Sequence, residues 1–447
     1  MPMLSRFKAF RFNPARFKTP NAALPPKQEF TILFAVMLVI ASGNTALISL
    51  MPVISRKLDL PDVALAIAFS CSSLIWTTSA PYWSRQIHQR GSRKLILSGL
   101  IGYVCSQLLC ALTLGLGLLG LIPPIYAFAG FVASRAIYGF MGAAAPPAAQ
   151  ARIALHTMPA ERTNAMAMLA SAFGLGTIIG PALAPFFILP FIDNAGSAVI
   201  FGLFGVMTLI AVMAKLPDND PIDYDLQPVS ESYPGLGSEP TDASIVIATA
   251  PPSTVKLRWR DPRIKPWLLA GLIGGHAQAI SGMTIGFLVL DRLKLPPDQA
   301  QSLIGLVLMI GAGASLLSQW ALIPKLGLLP RQMVLFGSLI SAIGLLLTAQ
   351  ATNLHALSVC YALSMLGFGF FRPGFTAGAS LAVGRHEQGD VAGKVTAVNG
   401  AGYIIGPAFG MILYGLSPAL PFELASAAMG GAILVTLLHV RMTSHKA

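Results

Sequence analysis

Five side chains that could bind a solute or carry a proton interrupt the long apolar stretches of this sequence. Arg135, Arg372 and His276 can carry charge, and Asn44 and Gln278 can donate and accept hydrogen bonds. A charged group in hydrocarbon is costly, so such residues usually serve a pathway for a substrate or a proton. Histidine titrates near neutral pH, whereas arginine stays protonated. We therefore expect these residues to line such a pathway.

For three residues the sequence leaves alternatives open. Arg372 lies past the middle of its apolar stretch, where a long side chain can instead reach toward lipid head groups. A single histidine such as His276 is often only hydrogen-bonded to a neighbouring helix. No Asp or Glu lies near the middle of a stretch, and Asp291 lies at the outer end of one. Because proton carriers in membranes are commonly buried carboxylates, His276 and Asp291 are the two candidates for that role.

The chemistry of an enzyme is not indicated. No nucleophile and base form a recognisable set, and no group of His, Cys, Asp and Glu has the spacing of metal ligands. The four cysteines lie in apolar stretches without a CxxC pair, which is typical of small buried hydrophobes. The net charge of +12 is not gathered in a long basic run, which argues against a nucleic-acid partner. We expect no enzyme activity, no metal and no cofactor.

The elements that must position these residues are membrane-spanning helices. Hydrophobic residues make up 54% of the chain and charged residues 11%, whereas soluble domains are about one-quarter charged. A helix needs about 20 apolar residues to cross a bilayer, and twelve stretches qualify, so we predict an all-α integral membrane protein. The predicted spans are 30–52, 63–83, 95–115, 120–145, 165–189, 196–214, 266–290, 300–323, 332–350, 355–380, 392–415 and 419–440.

The distribution of basic residues predicts the orientation of these spans. If both termini are cytoplasmic, nearly all of the 30 Lys and Arg residues fall in cytoplasmic segments. The exceptions are Arg56, Lys57, Arg292 and Lys294 in outer loops and the two arginines inside spans. Cytoplasmic loops carry such an excess of cations. We expect a multi-pass protein of a bacterial inner membrane with both termini in the cytoplasm.

Composition divides the chain into five regions. The segment between the sixth and seventh spans is rich in acids, Pro and Ser, as flexible linkers are. The predicted regions are a basic cytoplasmic tail 1–29, a six-helix half 30–215, a cytoplasmic linker 216–262, a second six-helix half 263–441 and a cytoplasmic tail 442–447.

The two halves contain an internal repeat. The nine-residue segment that begins at Gly174 in span five recurs from Gly400 in span eleven with two differences. Parallel repeats of this kind place a binding site at the interface of the halves near the bilayer midplane. Glycines four residues apart share one helix face and let a neighbouring helix approach closely, and a proline permits a bend. This pattern fits simple close packing and a moving interface equally well, and the residues concerned are Gly176, Gly180, Pro181, Gly402, Gly406 and Pro407.

Two of the motifs resemble those of the major facilitator superfamily, and within it the twelve-span drug:proton antiporters of the multidrug and tetracycline type. The segment Gly176–Pro181 in span five is similar to the antiporter motif of that branch. In span four, Arg135 followed by Gly139 and Gly142 is similar to its arginine motif. The resemblance covers nearly the whole chain apart from the tails and the linker.

The loop after span two resembles the signature loop of the superfamily only in part. Gly91 and Arg93 fit the family pattern, but Ser84 stands where a glycine is usual and His88 where the family has an aspartate. In the family that aspartate supports a charge network which helps to hold one transport conformation. His88 could replace it as a hydrogen-bonding or pH-sensitive group, or it could be an ordinary loop histidine.

The resemblance implies a specific fold and activity. It implies two pseudo-symmetric six-helix halves around a central cavity, and export of small, partly hydrophobic molecules by alternating access in exchange for protons. We expect a small-molecule substrate, protons as the coupling ion, a surrounding lipid bilayer and a monomeric protein. Two other interpretations stay open: a transporter for a metabolite such as a sugar, siderophore or amino acid, and a lipid flippase or transport-dead sensor on the same fold.

Overall fold

The computed structural model describes residues 27–155, 159–218, 257–384 and 387–439. Most of the predicted tails and of the linker lies outside these residues, as do the side chains of Ser84 and His88. Twelve helices of the described chain are long and apolar enough to cross a membrane. The predicted all-α membrane fold is therefore confirmed.

Most of the helices extend beyond the predicted spans at one or both ends, because polar residues there continue the helical hydrogen bonding into the head-group region. In the first half, residues 27–218, they are Lys27–Lys57, Asp62–Arg90, Ser92–Leu118, Pro124–Met141, Ala145–Leu155, Pro159–Leu183 and Gly196–Lys215. In the second half, residues 257–439, they are Lys265–Leu293, Pro297–Leu317, Ile323–Leu326, Pro330–Gln350, Leu354–Leu381, Gln388–Leu416 and Leu420–His439.

We number the twelve spans in chain order and name the two ends of the bundle. The linker end is the end at which span six stops at Lys215 and span seven begins at Lys265, and the opposite end is the distal end. Local sequence sets several helix boundaries. Gly91 has a φ of 78° between spans two and three, a conformation that suits glycine. The side chain of Asn353 caps span ten by accepting a 2.9 Å hydrogen bond from the Ala356 N–H.

Span four differs from its prediction. A 3-10 turn at Gly142–Ala144 interrupts it, and the helix Ala145–Leu155 then continues it toward the linker end. The interruption precedes Pro146 and Pro147, which lack a backbone N–H and disfavour helical geometry in the residue before them. Because the helix resumes, the span runs from Pro124 to Ile153, beyond the predicted end at 145.

Each half packs in the same pattern. Span one packs against spans five and six, and span four packs against spans two and three. Span seven packs likewise against spans eleven and twelve, and span ten against spans eight and nine. Each of these pairings in the first half thus has its counterpart six spans later, as the internal repeat predicts.

The halves meet through spans two and eleven, five and eight, and one with seven and eight. Gly286 of span seven lies against Pro52 of span one, and Gln301 of span eight donates a 3.4 Å hydrogen bond to the Ser49 carbonyl. Gly305 of span eight approaches the Pro181 carbonyl so closely that a Cβ there would lie 2.5 Å from its oxygen. These contacts lie in the distal half of the bundle.

Candidate functional site

The side chain of Arg135 lies inside the first half, between spans one, two and four. Its guanidinium donates a hydrogen bond to the Asn44 side-chain oxygen and lies over the rings of Phe69 and Tyr138, 5.0 and 4.5 Å from their centroids. Only 1% of Arg135 is exposed. We call these four residues the arginine cage. The structure thus brings together two residues, Arg135 and Asn44, that the sequence singles out separately.

The arginine cage holds a cation with neutral groups. Aromatic faces and an amide oxygen attract a guanidinium without neutralising it. The Asp and Glu residues of the sequence lie at span ends or outside the spans. Arg135 therefore brings a net positive charge into the membrane interior.

Arg372 lies on a definite face of span ten. Span ten packs against span seven through Phe375 and against span eight through Gly369, whose Cβ would lie 2.0 Å from the Ser318 hydroxyl. Successive residues of an α-helix turn by about 100°, so Arg372 lies between these two contacts. It is 7% exposed. This position places Arg372 on the face of span ten that lies between spans seven and eight.

Span seven carries the other two predicted pathway residues. Gln278 is buried. The ring Nδ1 of His276 lies 2.7 Å from the Leu272 carbonyl oxygen, one turn earlier on the same helix, and the peptide joining Gly275 to His276 packs against Gly402 of span eleven. The described contacts of the His276 ring are therefore local, and His276 and Arg135 lie in different halves.

Asp291 lies in a charged cluster at the distal end. Its carboxylate accepts hydrogen bonds from Arg56, at 3.2 Å to each oxygen, and from the Tyr414 hydroxyl at 2.7 Å. Arg56 also contacts Asp62 at 2.8 Å. We call Arg56, Asp62, Asp291 and Tyr414 the distal latch. Arg56 and Asp62 belong to the first half and Asp291 and Tyr414 to the second, so the distal latch is an ionic contact between the halves.

A second ion pair lies at the same end but within one half. The Lys57 ammonium contacts the Asp193 carboxylate and the Asn194 side-chain oxygen, the latter at 2.8 Å. The sequence placed Arg56 and Lys57 in outer loops and Asp291 at the outer end of a span, but it did not indicate that they form these ion pairs. Arg56 and Tyr414 are each more than 100 residues from Asp291, and Lys57 is more than 100 residues from Asp193, so no local spacing could indicate these pairs.

A buried ion pair fixes the linker end of the first half. Arg152 and Glu29, whose side chains are 0% and 6% exposed, approach to 3.4 Å. Arg152 also donates to the Ser92 hydroxyl and to the Pro217 carbonyl. Because the predicted span four ended at 145, Arg152 was expected in a loop. The resumed helix instead carries it among spans one, three and six.

The segment that leads into span seven is fastened to the start of span eleven. Arg263 donates to Glu387 at 2.9 and 3.0 Å and to Asp261 at 2.9 and 3.1 Å, and the Lys394 ammonium lies 5.3 Å from the centre of the Trp259 ring. The hydrogen bonds and charge of Arg263 lower the pKa of Glu387 and of Asp261 below their ordinary values. We call these five residues the linker clasp.

The repeated glycines lie where helices approach most closely. A Cβ at Gly176 would lie 2.6 Å from the Leu38 carbonyl oxygen and one at Gly180 2.2 Å from that of Ser42, both in span one. In the second half Gly406 packs against Ala279 of span seven at 2.7 Å. This is the close approach that the four-residue spacing predicts. It leaves the choice between static packing and a moving interface open.

The remaining motif residues lie at contacts within the first half. A Cβ at Gly139 would lie 2.6 Å from the Ser72 carbonyl oxygen of span two, and one at Gly142 2.8 Å from the Tyr138 ring. Arg93 donates a 2.8 Å hydrogen bond to the Met213 carbonyl at the end of span six. The side chains of Ser84 and His88 are not among the described residues, so their predicted part in the signature loop stays a prediction.

Comparison with known proteins shows a family match and a relative that each cover most of the chain. Residues 33–407 match the family described as the Major Facilitator Superfamily. Multidrug resistance protein 2 of Bacillus subtilis (strain 168) is 25% identical over 411 residues, which cover 90% of this chain and 93% of that protein.

Two solved structures illustrate the likeness of fold. A bacterial homolog of the human lysosomal transporter Spinster, in an inward-facing and unoccupied conformation, has a TM-score of 0.67 at 11% identity and covers 93% of this chain and 96% of its own. The human organic anion transporter MFSD10 (TETRAN) has a TM-score of 0.62 at 18% identity, with 92% and 99% covered. At these identities the likeness establishes the fold.

Proposed function

The chain belongs to the Major Facilitator Superfamily and is a membrane transporter rather than an enzyme, and from that premise we propose that it exports small, partly hydrophobic molecules by alternating access in exchange for protons. The observation that carries the direction of transport is the full-length similarity to a protein named for multidrug resistance. The closely packed segment Gly176–Pro181 supports it, since its sequence resembles the antiporter motif.

We propose that the linker end faces the cytoplasm, in a bacterial inner membrane with both termini inside. The excess of Lys and Arg in the segments at that end supports this orientation. The structure then corresponds to an inward-facing state, because the described hydrogen bonds between the halves lie in the distal half of the bundle and the described contact nearest the linker end, that of Gly400 with Thr77, lies near its middle. In this state the distal latch closes the outer side of a monomeric transporter.

We propose that the solute pathway passes between the arginine cage and the facing residues of spans seven and ten. Arg135, held by Asn44, and Arg372 supply its charge, and Gln278 supplies a buried amide. For the proton, His276 within span seven is the favoured carrier, since Asp291 lies in the distal latch rather than in the interior.

We propose that the repeated glycine faces move during the transport cycle. Gly176 and Gly180 face span one, and the Pro181 carbonyl meets Gly305 of span eight. Gly402, Gly406 and Pro407 belong to the matching segment of span eleven beside span seven. Small residues let such faces slide without displacing side chains. Gly139 and Gly142 support the same property between spans two and four, and Gly91 and Arg93 fix the turn at the linker end.

Transport in proteoliposomes with an imposed pH gradient tests this function. We expect at least one of three probes, ethidium, tetracycline or naphthalenesulfonate, to dissipate the gradient when it is added on the linker-end side. The Lys325→Gln variant, altered at an exposed surface residue, serves as the control and should behave like the wild type. If none of the three solutes moves or dissipates the gradient, the export function is wrong.

Two variants test the site. We expect Arg135→Ala to abolish solute movement and His276→Ala to uncouple it from the pH gradient while leaving counterflow of solute intact. If both variants transport and couple like the wild type, these residues do not form the pathway.

A further inference from the structure

The permanent charges in the interior of the described spans are positive. In the described spans the permanently charged side chains remote from span ends are Arg135 and Arg372. The carboxylates of the spans lie at their ends, as Asp62 and Asp291 do in the distal latch and Glu29 does beside Arg152. The charge of the interior is therefore set by arginines, which do not lose their proton.

Two buried side chains carry hydrogen-bond donors without a described partner. One lies close to Arg372 on span ten, and the other lies on span eleven at the interface of the halves. Thr376, one turn after Arg372, is 1% exposed, and its hydroxyl has no hydrogen-bond partner among the described residues. On span eleven, Asn399 is 2% exposed and its amide nitrogen likewise has none. An unsatisfied buried donor costs free energy, so these groups need an acceptor that the described protein does not supply.

The direction of these donors follows from helix geometry. On span eleven, Gly402 packs against span seven, whereas Gly400 faces span two, where its Cβ would lie 3.0 Å from the Thr77 hydroxyl. With a turn of about 100° per residue, Asn399 lies between these two contacts and thus toward the junction of the halves. Thr376 shares the face of Arg372, between the contacts with spans seven and eight.

An aromatic side chain lies beside Arg372 on span ten. Phe368, one turn before Arg372 on the same face of the helix, is fully buried. Ligand sites commonly combine aromatic walls with a few placed polar groups. A guanidinium with neighbouring hydroxyl and amide donors matches an oxyanion such as a carboxylate or sulfonate, whereas an organic cation would meet like charge.

We propose that the exported molecules are amphipathic organic anions, whose carboxylate or sulfonate group is bound by Arg372 together with Thr376 and Asn399. The proposal rests on the proposed export function and narrows it to one charge class. It has an electrical consequence, because a monoanion that leaves the cell carries negative charge outward. An inside-negative membrane potential then drives its export, and exchange for a proton adds to that effect, whereas exchange of a monocation for a proton is electroneutral.

Binding to the purified full-length protein in nanodiscs tests the charge class without requiring transport. The probes are naphthalenesulfonate and the similarly sized cation naphthyltrimethylammonium, measured by calorimetry. We expect the anion to bind at least about tenfold more tightly, as a charge-assisted site requires. Equal or tighter binding of the cation overturns the proposal.

Variants test the site itself. We expect Arg372→Gln to weaken naphthalenesulfonate binding about tenfold or more. Arg372→Lys should retain much of the binding, since lysine keeps the positive charge but lacks the paired N–H donors of the guanidinium. Thr376→Val keeps the side-chain shape and should weaken binding by a few-fold. Lys325→Gln removes an exposed positive charge and should change nothing. If Arg372→Gln folds, by its elution in size exclusion, and binds the anion like the wild type, the assignment is wrong.

Transport assays distinguish the proposed anion site from the proposed export function. In proteoliposomes with a potassium diffusion potential, we expect the potential to accelerate naphthalenesulfonate movement in the export direction and to leave the control without protein unaffected. Anion binding that depends on Arg372 without any solute flux would sustain the binding site and contradict export. Export of naphthyltrimethylammonium without binding of the anion would sustain export and overturn the anion site.

Discussion

Replacing Asp291 by asparagine should shift the protein from its present conformation toward one that is open at the distal end. Asp291 joins the halves by accepting hydrogen bonds from Arg56 and Tyr414. Asparagine has nearly the same shape but no charge. The substitution therefore removes the ionic part of the distal latch and little of its packing.

The size of the effect follows from the exposure of the pair. The Arg56 and Asp291 side chains are 41% and 33% exposed, and exposed ion pairs contribute about 0.2–1 kcal/mol. The Tyr414 hydroxyl donates to a charged oxygen at 2.7 Å, and converting such a bond to a neutral one costs about 1 kcal/mol. The sum, about 1–2 kcal/mol, corresponds to a change of roughly 5–30-fold in the ratio of the two conformations.

Double electron–electron resonance between two spin labels measures their distance and can therefore report the ratio of the two conformations. Labels at Leu121 in the first half and Gln299 in the second are exposed at the distal end, and the background needs the four native cysteines replaced. We expect Asp291→Asn to increase the population with a long distance, and high salt to shift the wild type in the same direction because it screens exposed charges.

The matched control is Asp193→Asn, which breaks the Lys57 ion pair at the same end but within the first half. It removes a similar charge without touching a contact between the halves. An unchanged distance distribution in Asp291→Asn, or an equal shift in Asp193→Asn, would refute the role of the distal latch.

Three further predictions concern stability. Gly180→Ala should lower the thermal midpoint in detergent, by overpacking worth about 1–3 kcal/mol, because its Cβ would lie 2.2 Å from a carbonyl oxygen, whereas Gly313→Ala, with open space around it, should not. Arg152→Gln should cost about 3–5 kcal/mol in denaturation because it leaves the Glu29 carboxylate buried without its cation, and adding Glu29→Gln should restore part of the loss. The linker clasp should loosen in acid: its carboxylates have folded-state pKa values below those of the unfolded chain, so its stabilisation is complete above a pH of about 5 and disappears as the pH falls through the lowered values. Iodide quenching of Trp259 fluorescence should report this loosening, and Arg263→Gln should show the quenched level at neutral pH.

The sequence predicts the helices well and the contacts poorly, for a physical reason. Hydropathy reports the transfer of a whole segment into lipid, so the existence and number of spans follow directly from composition. It does not report where a helix resumes after a break. The prolines after Gly142 therefore hid the continuation of span four, and Arg152 was placed in a loop instead of beside Glu29.

Contacts between distant residues depend on packing that no local spacing encodes. Arg135 and Asn44 are separated by 91 residues and Arg56 and Asp291 by 235. The cost of a charge in hydrocarbon predicts that Arg135 has a function, but it does not predict which residues contact it. The spacing of Gly176 and Gly180 correctly predicts a close approach of helices, because the local repeat of the helix determines which residues share a face. It does not determine which helix lies against that face.

The closed distal end also bears on pharmacology. In the present conformation Pro52, Pro181 and the distal latch are packed against the opposite half, so in the proposed orientation a compound outside the cell meets the closed end of the bundle. An inhibitor that competes for the interior would need to cross the bilayer first or wait for the latch to open. Membrane-impermeant blockers should therefore gain potency in variants with a weakened distal latch. The rate at which their inhibition develops would then report how fast the distal latch opens.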